Sequence, residues 1–238
     1  MSAEPPLPIY TLPLFPLHSV LFPKFPLQLH IFEERYKVMI NGCIERDAPF
    51  GVVLIRAGEE VGTPAVPYDV GCAARILAVK RLEDGRMHLL AAGESRFRLL
   101  DYVEAELPYL IGRVELLEDR PSAEQGIPTL TTEVMELFRH YLSLLAERAH
   151  LPLPELELPD DPTSLAFCIA SVAQFPLCDK QRLLEMRDTH ARMQEEARLL
   201  RQQIEALEAL QNPHTDETTL PLDFGAERWR HYRHNARN

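Results

Sequence analysis

Between Leu12 and Tyr36 the chain reads LPLFPLHSVLFPKFPLQLHIFEERY, and its prolines limit what the segment can become. A proline fixes φ and offers no ladder donor, so Pro13, Pro16, Pro23 and Pro26 rule out one long helix or one uninterrupted central strand. What remains is a set of short extended pieces whose bulky side chains need a shared core. Leu27, Leu29 and Ile31 alternate with Gln28, His30 and Phe32, the period of two of a half-buried strand, and helical composition starts at Glu33. The spacing predicts a strand feeding directly into a helix over about Glu33 to Glu45.

Short strands continue after that helix. FGVVLIR from Phe50 is a continuous apolar run bounded by Pro49 and Gly58, and a loop with Gly62, Pro64 and Pro67 follows. A strand from about Cys72 to Leu82 turns at Asp84-Gly85, a pair that tolerates positive φ in tight hairpins, and its partner starts at Arg86. Phe97 to Glu104 and Leu110 to Glu118 add further strands, so five or six strands and one helix fit a small closed barrel without exposed edges. Beyond a polar connector at Arg120 to Gly126 the composition turns helical. Leu130, Val134, Leu137, Phe138, Tyr141 and Leu145 share one helical face. Asp161 and Pro162 suit the cap and first position of a second helix, which Pro176 ends. A third is expected from Asp179 to about Gln211, with Leu183, Met186, His190, Met193, Ala197, Leu200, Ile204 and Leu207 in a three-four seam.

The Leu12 to Tyr36 segment resembles the opening of the amino-terminal, substrate-binding domain of Lon proteases, which has a PUA-like barrel. VGCAARILAVKRLEDGRMHLLAAGESRFRLLDYVEAELPYLIGRVELLED, from Val70 to Asp119, is similar to that family's barrel-closing strands, with Gly71, Arg75-Ile76, Asp84-Gly85-Arg86, Gly93 and Arg96-Phe97 at the expected places. Asp179 to Leu207 is similar to the helix after the barrel, which brings the coverage to roughly residues 8 to 210. Two positions depart from the pattern: Lys24 stands where glycine is usual, and Cys72 where threonine is common. The resemblance implies an α+β fold: a PUA-like barrel with one inserted helix over 8–119, a helical subdomain over 127–211 ending in a long helix, and a poorly ordered tail over 212–238.

Charge and motifs narrow the function. A formal net charge of -11 argues against a broad nucleic-acid footprint, although the tail from Arg228 carries Arg230, Arg233 and Arg237 with no acid. No apolar run approaches the roughly 20 residues of a membrane span, and MSAEPPLP is not a signal peptide, so a cytoplasmic location is expected. Cys43, Cys72, Cys168 and Cys178 form no C-x-x-C pair and read as reduced, buried thiols. No histidine falls in a metal-ligand motif, and neither a metal nor a cofactor is expected. No Gly-Lys pair exists to end a P-loop, and the four lysines (Lys24, Lys37, Lys80 and Lys180) stand in no Ser-Lys peptidase pattern, so no catalytic residue is assigned. Pairing of Cys43 or Cys72 with His30 or His88 stays open at this level.

The resemblance therefore implies a non-catalytic protein-binding module that takes unfolded or apolar polypeptide segments, with a protease or chaperone as a possible quality-control partner. Leu21, Phe22, Lys24 and Phe25, with Arg35 and Tyr36 on the following helix, are the candidate binding residues. Core packing is the leading reading of each aromatic, Phe25 and Phe32 in particular as barrel filling, and Phe22 on its proline-interrupted loop is the residue to test as an exposed anchor. The alternatives are a PUA-like RNA-binding protein, and a structural protein acting as a homodimer through its long helix.

Overall fold

The computed structural model describes residues 8–60, 65–120, 126–152 and 157–211. The tail arginines, Gly62, Pro64 and most of the Arg120 to Gly126 connector lie outside them. The chain divides into two compact units, Met1–Glu118 with Pro176–Glu185, and Asp119–Phe175 with Met186–Asn238.

Six strands and two helices build the first unit: β1 (Ile9–Leu17), β2 (Pro26–Ile31), α1 (Glu34–Arg46), β3 (Phe50–Ala57), β4 (Val66–Arg81), β5 (Met87–Tyr102), β6 (Ile111–Leu116) and α4 (Leu177–Glu185). The sheet runs β2-β5-β4-β3-β1-β6, and β6 pairs again with β5, which closes β1, β3, β4, β5 and β6 into a barrel. Among the described strands β1 and β3 pair in parallel, with Leu14 opposite Gly51, and the other pairings are antiparallel. Leu12, Leu14, Val53, Ala73, Phe97, Leu99 and Val114 fill the interior. Sequence composition suggests two strands over 86–104, yet β5 is one strand of 16 residues. It holds β2 along 87–92 and β6 along 97–102.

Gly93 sits where β5 changes neighbour. Its N–H donates to the Phe25 carbonyl (2.9 Å) and its carbonyl accepts from Lys24 N–H (2.7 Å). A Cβ at Gly93 would lie 2.2 Å from the Phe22 carbonyl oxygen, so the turn before β2 can cross the barrel here only over a glycine. Lys24 within this turn has φ 67°, the left-handed region that costs a non-glycine residue about 1–2 kcal/mol. A glycine at this place would adopt the same backbone without that cost.

Helix α1 buries Tyr36, Met39, Ile40 and Cys43, one face at three-four spacing. It ends at Asp47, whose left-handed backbone lets its N–H reach the Cys43 and Ile44 carbonyls. The third helix expected from Asp179 is two helices. α4 groups with the barrel, where Gln181 Nε2 donates to the Val70 carbonyl (3.0 Å) and buried Arg96 donates to the Leu184 carbonyl (2.6 Å). The next helix starts only at Thr189, behind Asp188, whose carboxylate accepts the Ala191 N–H (2.9 Å) as an amino-terminal cap. Leu183 and Met186 therefore do not belong to the same helix as the rest of the expected seam.

The second unit contains α2 (Ile127–Ala149), α3 (Pro162–Val172) and α5 (Thr189–Gln211). Asp161 caps α3 by accepting Ser164 N–H at 2.8 Å, with Pro162 in the first turn. Met193, Ala197, Leu200, Ile204 and Leu207 of α5 are buried, as are Val134, Phe138 and Tyr141 of α2. Arg201 pairs with Glu133 and His140 lies 3.6 Å from Glu208, so the seam is consumed along α2 inside the chain. His190 is half-buried. Arg192 is fully buried over the Phe167 ring (4.2 Å) and is paired with Asp119. One turn later Glu196 is fully buried too, and neither carboxylate oxygen has a hydrogen-bond partner among the described residues. Burial pushes its acid well above the usual carboxylate range, with Arg192 pulling partly the other way.

Two measurements follow from these strained or desolvated positions. Lys24→Gly should raise the unfolding midpoint, by up to about 1 kcal/mol of stability after subtracting glycine's unfolded-state entropy; a lowered midpoint in thermal unfolding would mean that Lys24 contributes more by its contacts than its backbone costs. Glu196 keeps its proton in the folded chain at pH values where the unfolded chain has released it, so its contribution is full in acid and declines as pH rises above the ordinary glutamate range. Glu196→Gln should therefore stabilise more at pH 8 than at pH 4, and an equal effect at both pH values would show that the folded acid titrates normally.

Candidate functional site

The barrel unit has an open cleft of about 210 Å³ beside the first turn of α1. Leu14 and Pro16 of β1, Tyr36 of α1, and Leu107, Pro108, Tyr109 and Leu110 of the β5–β6 loop supply its apolar walls. Arg35, Glu59 and Glu60 supply its polar edge. Each wall is fixed by something outside the cleft. The Tyr36 ring stacks on Phe15 with centroids 4.0 Å apart and planes 13° from parallel. Leu14 N–H donates to the Leu110 carbonyl (2.8 Å), and Val103 N–H to the Ile111 carbonyl (2.9 Å), which pins both ends of the loop.

At the polar edge Arg35 bridges to Glu33 (2.9 Å), donates to the Glu60 carbonyl (3.0 Å) and lies over the Tyr36 ring at 4.7 Å. Its Nε is buried and has no hydrogen-bond partner among the described residues. The Glu60 carboxylate accepts the His18 backbone N–H. Burial raises the Tyr36 phenol, so it does not ionise readily. The cleft thus offers apolar contact and hydrogen bonding, and its side chains include no activated nucleophile next to a base.

Of the six candidate binding residues, the structure brings Arg35 and Tyr36 to this cleft. Leu21, Phe22 and Phe25 line none of it and are buried, with Phe22 at 0% exposure. Phe22 is therefore a core residue, held where its carbonyl meets Gly93, which fits the core-packing reading and corrects the exposed-anchor one. Lys24 is the exposed member of that turn. Phe32, a candidate for barrel filling, is instead 49% exposed beside His30 (ring centroids 6.0 Å). Leu107 at 43% exposure and its neighbours were not legible as a site, because ELPYL reads only as a connector between strands.

The open thiol question is settled by placement. His30 and His88 sit opposite each other on β2 and β5 with their Nδ1 atoms 3.4 Å apart. Cys43 and Cys72 are buried and donate to the Pro49 and Ala73 carbonyls. Burial pushes all three interior thiols up, Cys168 to about 12, which removes thiolate reactivity at neutral pH. Cys178, expected to be buried, is exposed. Among the described residues no group of three or more His, Cys, Asp and Glu could hold a metal ion, and no helix is long and apolar enough to cross a membrane.

Residues 11–202 match the family of the ATP-dependent protease La (LON) substrate-binding domain. A Lon protease 2 of Myxococcus xanthus is 33% identical over 202 residues, which cover 82% of this chain and 24% of that protein. A Lon protease of Anaeromyxobacter dehalogenans is 32% identical over the same shares. The chain thus spans about a quarter of the length of these relatives. Among solved structures, a Lon N-terminal domain protein from Xanthomonas campestris superposes with a TM-score of 0.59 at 26% identity, covering 78% of this chain and 96% of that one. The N-terminal domain of a Mycobacterium avium complex Lon protease reaches 0.61 at 18% identity, covering 82% and 98%, and so shares the fold.

Core placement of Phe22 has a direct consequence. Phe22→Ala should lose about 3–5 kcal/mol of stability, the usual result of emptying a buried phenylalanine site. Denaturant unfolding measures it, and a loss below about 1 kcal/mol would mean that the ring is not packed as described.

Proposed function

This chain belongs to the LON substrate-binding domain family, and we propose that it recognises polypeptide substrates by seating extended apolar segments in the cleft between Tyr36 and Leu107. The observation that carries this reading is the pairing, in one cleft, of a half-exposed leucine and prolines with a short polar edge at Arg35. Binding clefts commonly combine mostly apolar walls with a few polar groups that orient the occupant. An unfolded segment supplies both an apolar side chain for Leu107 and Leu110 and a backbone carbonyl for a donor such as Arg35.

A protease or chaperone of protein quality control is the class of partner to which such a module would present its clients. The cleft's lack of an activated nucleophile supports binding rather than chemistry at this place. Leu107→Ala tests the site, since Leu107 is too exposed to be a core residue. Titrating a labelled, permanently unfolded polypeptide by fluorescence anisotropy should show roughly five- to twentyfold weaker binding, the range of an interface anchor. The unfolding midpoint should stay within a few degrees of the parent. Unchanged affinity would remove the cleft from the binding surface.

A further inference from the structure

The rim of the cleft carries an imbalance of charge. Arg35 is its one cation among the lining residues, and Glu33 already bridges it at 2.9 Å. Glu59 is exposed and makes no ion pair among the described residues. The Glu60 carboxylate accepts a neutral backbone N–H, from His18. Glu104 and Glu106 are exposed on the loop that supplies Leu107. The cleft lining thus carries two carboxylates against one cation, Arg35, which Glu33 already bridges.

From this complementarity we infer that the cleft selects apolar segments flanked by lysine or arginine over equally apolar segments flanked by neutral or acidic residues. The inference rests on the proposed binding reading and adds the substrate class. An apolar anchor enters between Tyr36 and Leu107 while its basic neighbour remains at the rim, within a Debye length of Glu59 and Glu60. The charge stays in water there, so it avoids the desolvation penalty of a buried ion, and its effect is modest and sensitive to salt. An acidic neighbour meets the same carboxylates as repulsion, which gives discrimination by an unfavourable element as well as a favourable one.

Three labelled peptides test this, sharing a Leu-Phe-Leu centre and flanked by lysine, by glutamine or by glutamate. In fluorescence anisotropy at about 50 mM salt, the lysine peptide should bind about three- to tenfold tighter than the glutamine peptide, and the glutamate peptide weaker than both. The spread should shrink at about 500 mM salt. Glu59→Gln combined with Glu60→Gln, which keeps an acceptor for the His18 N–H, should abolish most of the lysine preference, read as the ratio of lysine-peptide to glutamine-peptide affinity. A control with Glu45→Gln and Glu205→Gln, two exposed acids outside the cleft, should retain the preference. Equal binding of lysine and glutamine peptides, or a preference surviving in the rim variant but lost in the control, overturns the charge inference while leaving the binding reading in place. No measurable binding of any peptide overturns the binding reading, and this inference with it.

Discussion

Everything in the barrel unit depends on one backbone crossing, where the turn Phe22–Phe25 passes over Gly93. β5 must serve β2 with its first half and β6 with its second, because closure needs β6 and the amino-terminal segment needs β2. The handover leaves a stretch of β5 to be satisfied by something other than a strand. Lys24 N–H and the Phe25 carbonyl provide this at Gly93, and the approach is so close that no side chain fits at residue 93. The left-handed Lys24 is a consequence of making both bonds within so short a turn. Phe22 is then forced inward, which is why an aromatic in a proline-rich loop is part of the core rather than part of a surface.

The same crossing shows where sequence reasoning succeeds and where it stops. Proline positions are legible because their effect is local: Pro23 and Pro26 bracket the turn, and Asp161-Pro162 marks a helix start, whatever the rest of the chain does. Which way Phe22 points is a tertiary fact, decided by a contact with a residue 71 positions away, and loop composition argued in the wrong direction. The helix break at Met186–Asp188 was hidden for a related reason. No proline or glycine interrupts the run, and the one available sign, Asp188-Thr189 as a cap, is weak in a segment whose apolar spacing continues through it. The cleft was half legible: Arg35 and Tyr36 follow from the opening motif, but Leu107 to Leu110 join them only because β1 and the β5–β6 loop meet through Leu14 and Leu110.

The helical unit follows a different logic. Its apolar seam is complete without Leu183 and Met186, yet α5 also buries Arg192 and Glu196 one turn apart. Arg192 is held by Asp119, the Met186 carbonyl and the Phe167 ring, so its charge is matched from several directions. Glu196 has no such set, and a buried carboxyl resolves the conflict by keeping its proton. An ionisable group that must stay neutral weakens the fold as pH rises, where an apolar residue of similar size would not. That position contrasts with Arg96 in the barrel unit, whose buried guanidinium reaches the Leu184 carbonyl.

Rigidity and adaptability are divided in the cleft in a way that bears on what it can select. Its floor comes from β1 and α1, where Tyr36 is locked on Phe15 and Leu14 is in the barrel core. Its rim comes from loop residues, Glu59 and Glu60 on one side and Leu107 to Tyr109 on the other. A fixed floor lowers the ordering cost of receiving one apolar side chain, whereas loop walls allow the rest of a segment to vary. Such a site discriminates by class of residue, not by exact sequence, because neither a leucine contact nor an exposed carboxylate imposes the geometry of a buried hydrogen bond. Modest affinity for many segments is the expected outcome of that division, and a stringent single-sequence preference would require polar contacts that point inward from the floor.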